Sequence, residues 1–135
     1  MAHVSVTRLR LRSNRYLPLF FWHSLRSQRQ ARGSDGCFDT GVRYHKRAFW
    51  TLTVWRDDAA TRAFMLNGAH RAAMPKLKTW CDEASLVHWE QEGTTRPSWS
   101  DAEARLRNEG RTSPVRRPSP AHASGLVMGS HDSTQ

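Results

Sequence analysis

Residues 49–56, FWTLTVWR, constrain this chain more than any other stretch. They are dense in β-branched and aromatic side chains and read as a β-strand. In an extended chain, alternate residues point to opposite faces. Phe49, Thr51, Thr53 and Trp55 share one face, and Trp50, Leu52 and Val54 share the other. Burying each large apolar side chain is worth about 1.5–3 kcal/mol. Both faces are apolar enough to need cover, so the architecture must place a layer on each side.

The flanking sequence supplies candidate layers. Residues 41–46 read as the hairpin partner of this strand. Residues 4–11 read as another strand, with Val4 and Val6 on one face and Leu9 and Leu11 on the other. That phase change implies a bulge near Thr7 and Arg8, or a strand apolar on both sides. Ser13 can cap a helix running to about Ala31, with Pro18 in its first turn, where a missing N–H costs least. Leu17, Phe21 and Leu25 recur in it at helical spacing. Asp57 caps a second helix, and Asp58 suits its positive end. Asn67 and Gly68 interrupt it, and the helix resumes near Ala69 with a kink expected at Met74 and Pro75. Residues 86–90 read as a last strand.

The order is β-α-β-β-α-β over residues 1–93. This is the split βαβ arrangement of ferredoxin-like α+β domains, a four-stranded antiparallel sheet with two helices on one face. Two helices cover only that face. The apolar side chains on the other predict a homodimer packed sheet to sheet, a dimeric α/β barrel. The alternative is a monomer whose tail folds back over that face.

Residues 94–110 read as a short helical extension, with Ser100 and Glu103 as a capping box and Gly110 as a stop. Trp99 could staple it to the domain. Residues 111–135, with Pro114, Pro118 and Pro120 among serines and glycines, read as a disordered tail. Mean hydropathy is −0.72, and much of the apolar deficit lies in that tail. Every aromatic residue except Trp99 precedes residue 94.

Net charge is +9, and the excess is almost all arginine, with Lys46, Lys76 and Lys78 the only lysines. Basic balance suits nucleic acid, acidic lipid or an anionic ligand. The arginines are scattered rather than striped and no nucleic-acid module pattern occurs, so nucleic acid is not the expected partner. Cys37 and Cys81 stand far apart with no CxxC pair, which argues for free thiols and against a zinc site. The longest apolar run, around residues 17–22, is far too short to span a bilayer, and the N-terminus has no apolar signal region. The expectation is a soluble cytoplasmic protein without membrane contact.

His70 is the residue most suited to chemistry. On the resumed helix it shares a face with Ala73, Met74 and Leu77. An imidazole facing an apolar cavity could ligate haem iron or act as a base. The plain alternative is a core histidine bonded to a backbone carbonyl. Trp50, Trp55, Phe21 and Leu77 are candidate walls for a flat apolar ligand, with Phe64 and Met74 beside His70. Plain core packing would explain them equally. His88 and Glu90 form the one close histidine–carboxylate pair, with weak catalytic weight at this stage. No GxSxG elbow, P-loop, GxGxxG or HExxH occurs, and no metal centre is expected.

Residues 48–77, AFWTLTVWRDDAATRAFMLNGAHRAAMPKL, carry a strand rich in Trp and Thr, an acidic cap, an Ala-Phe helix and a Gly-Ala-His break. This segment resembles the dimeric α/β-barrel superfamily, and within it the relatives of spheroidene monooxygenase and of the antibiotic-biosynthesis monooxygenases. The resemblance covers most of residues 4–90. It implies a ferredoxin-like protomer that pairs through its sheet, with a pocket between sheet and helices. Some members hold haem through a helix histidine shortly after a phenylalanine, and Phe64 and His70 occupy comparable places. Others act on polycyclic substrates without a cofactor. The haem-degrading members use an asparagine near the N-terminus that residues 4–12 lack, so haem degradation is not implied. The expectation is a monooxygenase-like protein binding an apolar polycyclic or polyene small molecule, with His70 as its catalytic or haem-binding residue. The alternative is a non-catalytic binding or dimerisation module of the same fold.

Overall fold

The computed structural model describes residues 1–128, and residues 129–135 of the tail lie outside it. Strand β1 (Ala2–Leu11) leads through a 3-10 turn (Asn14–Tyr16) into helix α1 (Leu17–Arg32). Strands β2 (Cys37–His45) and β3 (Ala48–Trp55) follow as a hairpin. Helices α2 (Asp58–Met65) and α3 (Gly68–Trp80) precede β4 (Cys81–Gln91). Then come α4 (Trp99–Glu109), the two-residue strand β5 (Arg111–Thr112) and the short helix α5 (Pro120–Ala123). The sheet is antiparallel in the order β2-β3-β1-β4-β5. It therefore has five strands where four were expected, the tail adding β5 at the β4 edge.

Local chemistry explains the element ends. Asp57 caps α2, its Oδ1 accepting from the Ala60 N–H at 2.9 Å. Ser98 caps α4 by accepting from the Asp101 N–H at 3.1 Å, so the cap falls two residues before the Ser100 expected for it. Lys46 and Arg47 both adopt positive φ, +50° and +66°, in the two-residue turn between β2 and β3. Such a turn favours Asn-Gly, and β-carbons make it strained here. The register shift in β1 lies between Arg10 and Leu11, opposite Asp82, not near Thr7. β1 instead runs unbulged from Val4 through Leu9, with Val4 and Val6 facing α4 and Leu9 and Leu11 facing the helices, the second of the two possibilities its phase allowed.

The sheet's two faces are covered differently. Helices α1, α2 and α3 lie over Phe49 and Trp55. On the opposite face, Val4, Val6, Trp50, Leu52, Val54 and Val87 pack against Ala102 and Leu106 of α4. Trp50, Leu52 and Leu106 are fully buried. The Arg43 guanidinium lies 4.9 Å from the ring centroids of both Trp50 and Trp99 and pairs with Glu103 on α4. The extension thus closes within one chain the face that predicts a sheet-to-sheet homodimer.

The tail is also more ordered than its composition suggests. Its backbone bonds back to the domain, from Ser113 N to Ala84 O at 2.8 Å and from Arg116 N to Lys78 O at 2.9 Å. Below it, a buried ion pair joins Arg8 and Glu83 at 2.8 Å, and Ser119 donates to the same carboxylate at 2.8 Å. Burial pushes the Glu83 carboxyl up, but Arg8, Ser119 and Arg10 outweigh it and hold the group below its usual range.

Two stability outcomes follow. Leu106→Ala should cost about 2–5 kcal/mol in urea unfolding, while Leu66→Ala at an exposed position should stay within about 0.5 kcal/mol. Lys46→Asn combined with Arg47→Gly should raise stability by about 0.5–2 kcal/mol in the same assay, by relieving the turn.

Candidate functional site

Under α1, α2 and α3 the sheet is not a continuous apolar floor. One apolar cluster gathers Leu11, Phe20, Phe49 and Cys81, and another gathers Ala31, Trp55 and Ala60. Between them the strands present Ser5, Thr7, Thr40, Thr51 and Thr53. The register sets Ser5 opposite Thr53, Thr7 opposite Thr51, and Thr40 opposite Thr53. Above this hydroxyl floor lies a cavity of about 410 Å³. That volume falls within the range of small-molecule sites.

Helix α1 is turned the unusual way round. Phe20, His23, Ser24, Ser27, Gln28 and Ala31 line the cavity at helical spacing, a mostly polar stripe facing inward. Phe21 and Leu25, expected on the core face, are 47% and 58% exposed. Phe21 only sets its ring edge on Phe49. It is therefore not a pocket wall; its neighbour Phe20 is. The other walls come from α2 and α3. Phe64, Met65, His70, Ala73, Met74, Leu77 and Lys78 all line the cavity, so the face predicted for His70 with Ala73, Met74 and Leu77 is present. Trp50 is on the opposite side of the sheet, under α4. Trp55 faces the helices but packs on Phe64 at 5.2 Å in the end cluster, outside the cavity lining. Ser113, Pro114 and Val115 close the side beyond β4.

Gln30 holds the helix break that positions His70. Its amide donates to the carbonyls of Phe64 (3.1 Å) and Asn67 (2.7 Å), and its Oε1 accepts the His70 backbone N–H at 2.9 Å. Gly68 turns there with φ +58°, and a β-carbon on it would meet the Gln30 side chain at 3.1 Å. The turn thus requires glycine for its conformation and its closeness together.

His23, His70 and His88 line the cavity. His70 Nδ1 lies 3.3 Å from the Met65 carbonyl, so that nitrogen carries the proton and donates. Its ring rests 4.7 Å from that of Phe64. His23 is 5% exposed and its Nδ1 is buried without a hydrogen-bond partner. His88 Nδ1 lies 3.2 Å from His3 Nε2, and the two rings stack at 5.2 Å. His3 Nδ1 in turn lies 3.1 Å from Glu90 Oε1. Sequence spacing pairs His88 with Glu90 alone. The imidazole that joins them is His3, from a strand far away in sequence, and only the β1–β4 register could reveal it.

Burial pushes all three cavity imidazoles below their ordinary value. Lys76 and Arg26 reinforce this at His23. At His70 the Met65 carbonyl opposes it, and at His88 His3 and Arg111 reinforce it while Asp58 opposes it. The cavity therefore presents neutral imidazoles at neutral pH. The thiols offer no comparable chemistry. Both cysteines are free, and burial pushes Cys81 up to about 12.

Haem fits these residues poorly. A macrocycle laid on the sheet would desolvate the Ser and Thr floor without giving it hydrogen-bond partners. Among the cavity-lining residues the fixed cation is Lys78, with no arginine for propionates. The donor set suits a smaller ring compound with polar edges.

Solved structures of the same ferredoxin-like fold align with this one. They include a conserved protein from Methanosarcina mazei Go1, at 16% identity and TM-score 0.62, covering 68% of this chain and 94% of that one. An antibiotic biosynthesis monooxygenase aligns at 11% identity and TM-score 0.60, over 69% of this chain and all of that one. SnoaB, a cofactor-independent oxygenase from Streptomyces nogalater, aligns at 12% identity and TM-score 0.57, over 69% of this chain and 95% of that one. The resemblance drawn from residues 48–77 thus holds at the level of fold. No curated protein matches the chain in sequence. The chain belongs to the family described as Domain of unknown function (DUF3291), whose model matches residues 17–115. Among the described residues, no helix is long and apolar enough to cross a membrane.

The lowered histidines set a pH response. The unfolded chain binds their protons at the ordinary value of 6.5, and the folded chain binds them only at lower pH. Between those values the unfolded state holds more protons, so stability rises with pH. Unfolding free energy should be full above about pH 6.5, fall on acidification, and level off below the native values. His23→Gln should flatten part of that slope in urea titrations run across the range.

Proposed function

We propose that this chain is a monooxygenase-like enzyme that oxygenates a bi- or tricyclic ring compound bearing hydroxyl or keto groups, without a cofactor. One observation carries the reading: a helix turns polar residues inward over a hydroxyl floor, around neutral imidazoles. A buried polar group without a partner costs about 1–3 kcal/mol. Hydroxyl groups and imidazoles lining the cavity therefore favour a ligand with polar atoms of its own. Phe20, Phe64, Leu77 and Met74 supply apolar contact for the ring faces, and Ser5, Thr7 and Thr51 supply hydrogen bonds for its oxygens.

The chemistry needs a base. His88 suits it better than His70: each has Nδ1 engaged, but the partner of His88 is an imidazole backed by a carboxylate, whereas that of His70 is a neutral amide carbonyl. His88 Nδ1 faces another imidazole, which leaves Nε2 for the cavity. His88 removes a proton from a phenolic hydroxyl, or from the ring CH2 conjugated with the ketone across the ring. The threonine hydroxyls hold the resulting anion, and burial keeps water from quenching it. That electron-rich anion reduces dissolved O2. The ring CH2 (in a naphthol, the CH2 of its keto tautomer) becomes a carbonyl, one oxygen atom of O2 stays in the product, and the other leaves as water with both hydrogens. His70 anchors the ligand rather than carrying the proton. The converging polar groups favour this reading over a non-catalytic module.

The test is oxygen uptake with a panel of naphthols and anthrone-type ketones, alongside quenching of tryptophan fluorescence for binding. Wild-type chain should accelerate uptake over buffer, and His88→Gln should lower that rate about 10²–10⁴-fold while binding persists. Absence of both binding and uptake across the panel would end the proposal.

A further inference from the structure

The chain His88–His3–Glu90 runs from the cavity to the surface. His3 is 6% exposed, while the Glu90 side chain is about half exposed, at 47%. Each contact restricts the next. An ionised carboxylate can only accept, so the Glu90 contact at 3.1 Å requires a proton on His3 Nδ1. In neutral His3 that leaves Nε2 as an acceptor. His88 Nδ1, 3.2 Å away, must then be the donor and carry its ring's proton. His88 Nε2 is left with a lone pair. A free imidazole prefers the opposite tautomer, with the proton on Nε2, so this state needs an external cause.

We infer that His3 and Glu90 are positioning residues that decide which nitrogen of His88 is protonated, and so whether the cavity meets a base or a proton donor. The inference rests on the proposed role of His88 and adds the means by which that role is set.

The coupling runs both ways. A His3 with its proton on Nε2 would donate to His88 Nδ1, and the His88 proton would then sit on Nε2. The site would offer an N–H in place of a lone pair. The surrounding charges belong to this equilibrium. Asp58 Oδ1 lies 3.7 Å from His3 Nε2 and competes for its proton, although Arg62 holds the other Asp58 oxygen at 2.9 Å. Burial, His3 and Arg111 on β5 disfavour a charge on His88, while Asp58 favours it.

The decisive experiment is long-range 1H–15N correlation NMR on the full histidine-labelled chain. At about pH 8 the His88 signals should show the Nδ1–H tautomer. Glu90→Ala and His3→Ala should each move His88 toward Nε2–H at that pH. Glu90 is half exposed, so its variant keeps the question answerable if removal of His3 impairs folding. A wild-type His88 already in the Nε2–H form, or an Nδ1–H form that survives both substitutions, would overturn the inference. The measurement needs no substrate. A chain that shows the predicted tautomers yet oxidises no compound of the panel sinks the oxygenase reading and leaves this one standing. A chain that oxidises the panel with the wrong tautomer does the reverse.

Discussion

A strand that is apolar on both sides must be covered twice, and the rest of this molecule is arranged around that need. β3 is the strand. On one side α4 brings Ala102 and Leu106 down on Trp50, Leu52 and Val54, with Arg43 wedged between two tryptophan rings. On the other side the helices meet the sheet only at its ends. Phe20 packs on Phe49 at 4.4 Å at one end, and Trp55 packs on Phe64 at the other. Each end cluster is tight, and the helices bridge the gap between them.

What lies in that gap is therefore not forced to be apolar. The middle of the sheet carries threonines, which keep strand propensity through their branched β-carbon while offering a hydroxyl. The strand loses nothing in conformation and gains a surface able to bond a ligand. The cost is a space of about 410 Å³ that a core would have filled. Trading packing for a cavity weakens a fold. The compensation comes from the face closed by α4 and from the buried Arg8–Glu83 pair with its Ser119 bond. The tail contributes twice, by covering the far face and by walling the cavity with Ser113, Pro114 and Val115.

The alternation of FWTLTVWR, the βαββαβ order and the helix break at Asn67 and Gly68 could all be read from residue types, because each depends on near neighbours. The wall formed by His70, Ala73, Met74 and Leu77 was legible for the same reason. The orientation of α1 was not. Amphipathic reasoning turns Leu17, Phe21 and Leu25 inward; it holds for Leu17, which packs on the Phe49 cluster, and fails for Phe21 and Leu25, where the interior is a polar cavity rather than a core. Trp50 and Trp55 were misplaced by treating aromatic content as pocket content. One packs under α4 and the other ends a cluster. His3 escaped notice because its meaning depends on strand register, which sets it opposite Glu90 and beside His88. The capping residue of α4 and the fifth strand depend likewise on how the tail returns to the domain.

On the proposed function, α1 presents its polar stripe inward because a ring compound with oxygen substituents binds there. A crystal structure grown with an anthrone-type ketone decides the point. The ligand should lie between the helices and the threonine floor, with an oxygen within hydrogen-bond reach of a cavity hydroxyl or imidazole, and Phe21 and Leu25 still turned outward. A helix rotated to bury Phe21 and Leu25, with the space beneath it filled by side chains, would contradict it.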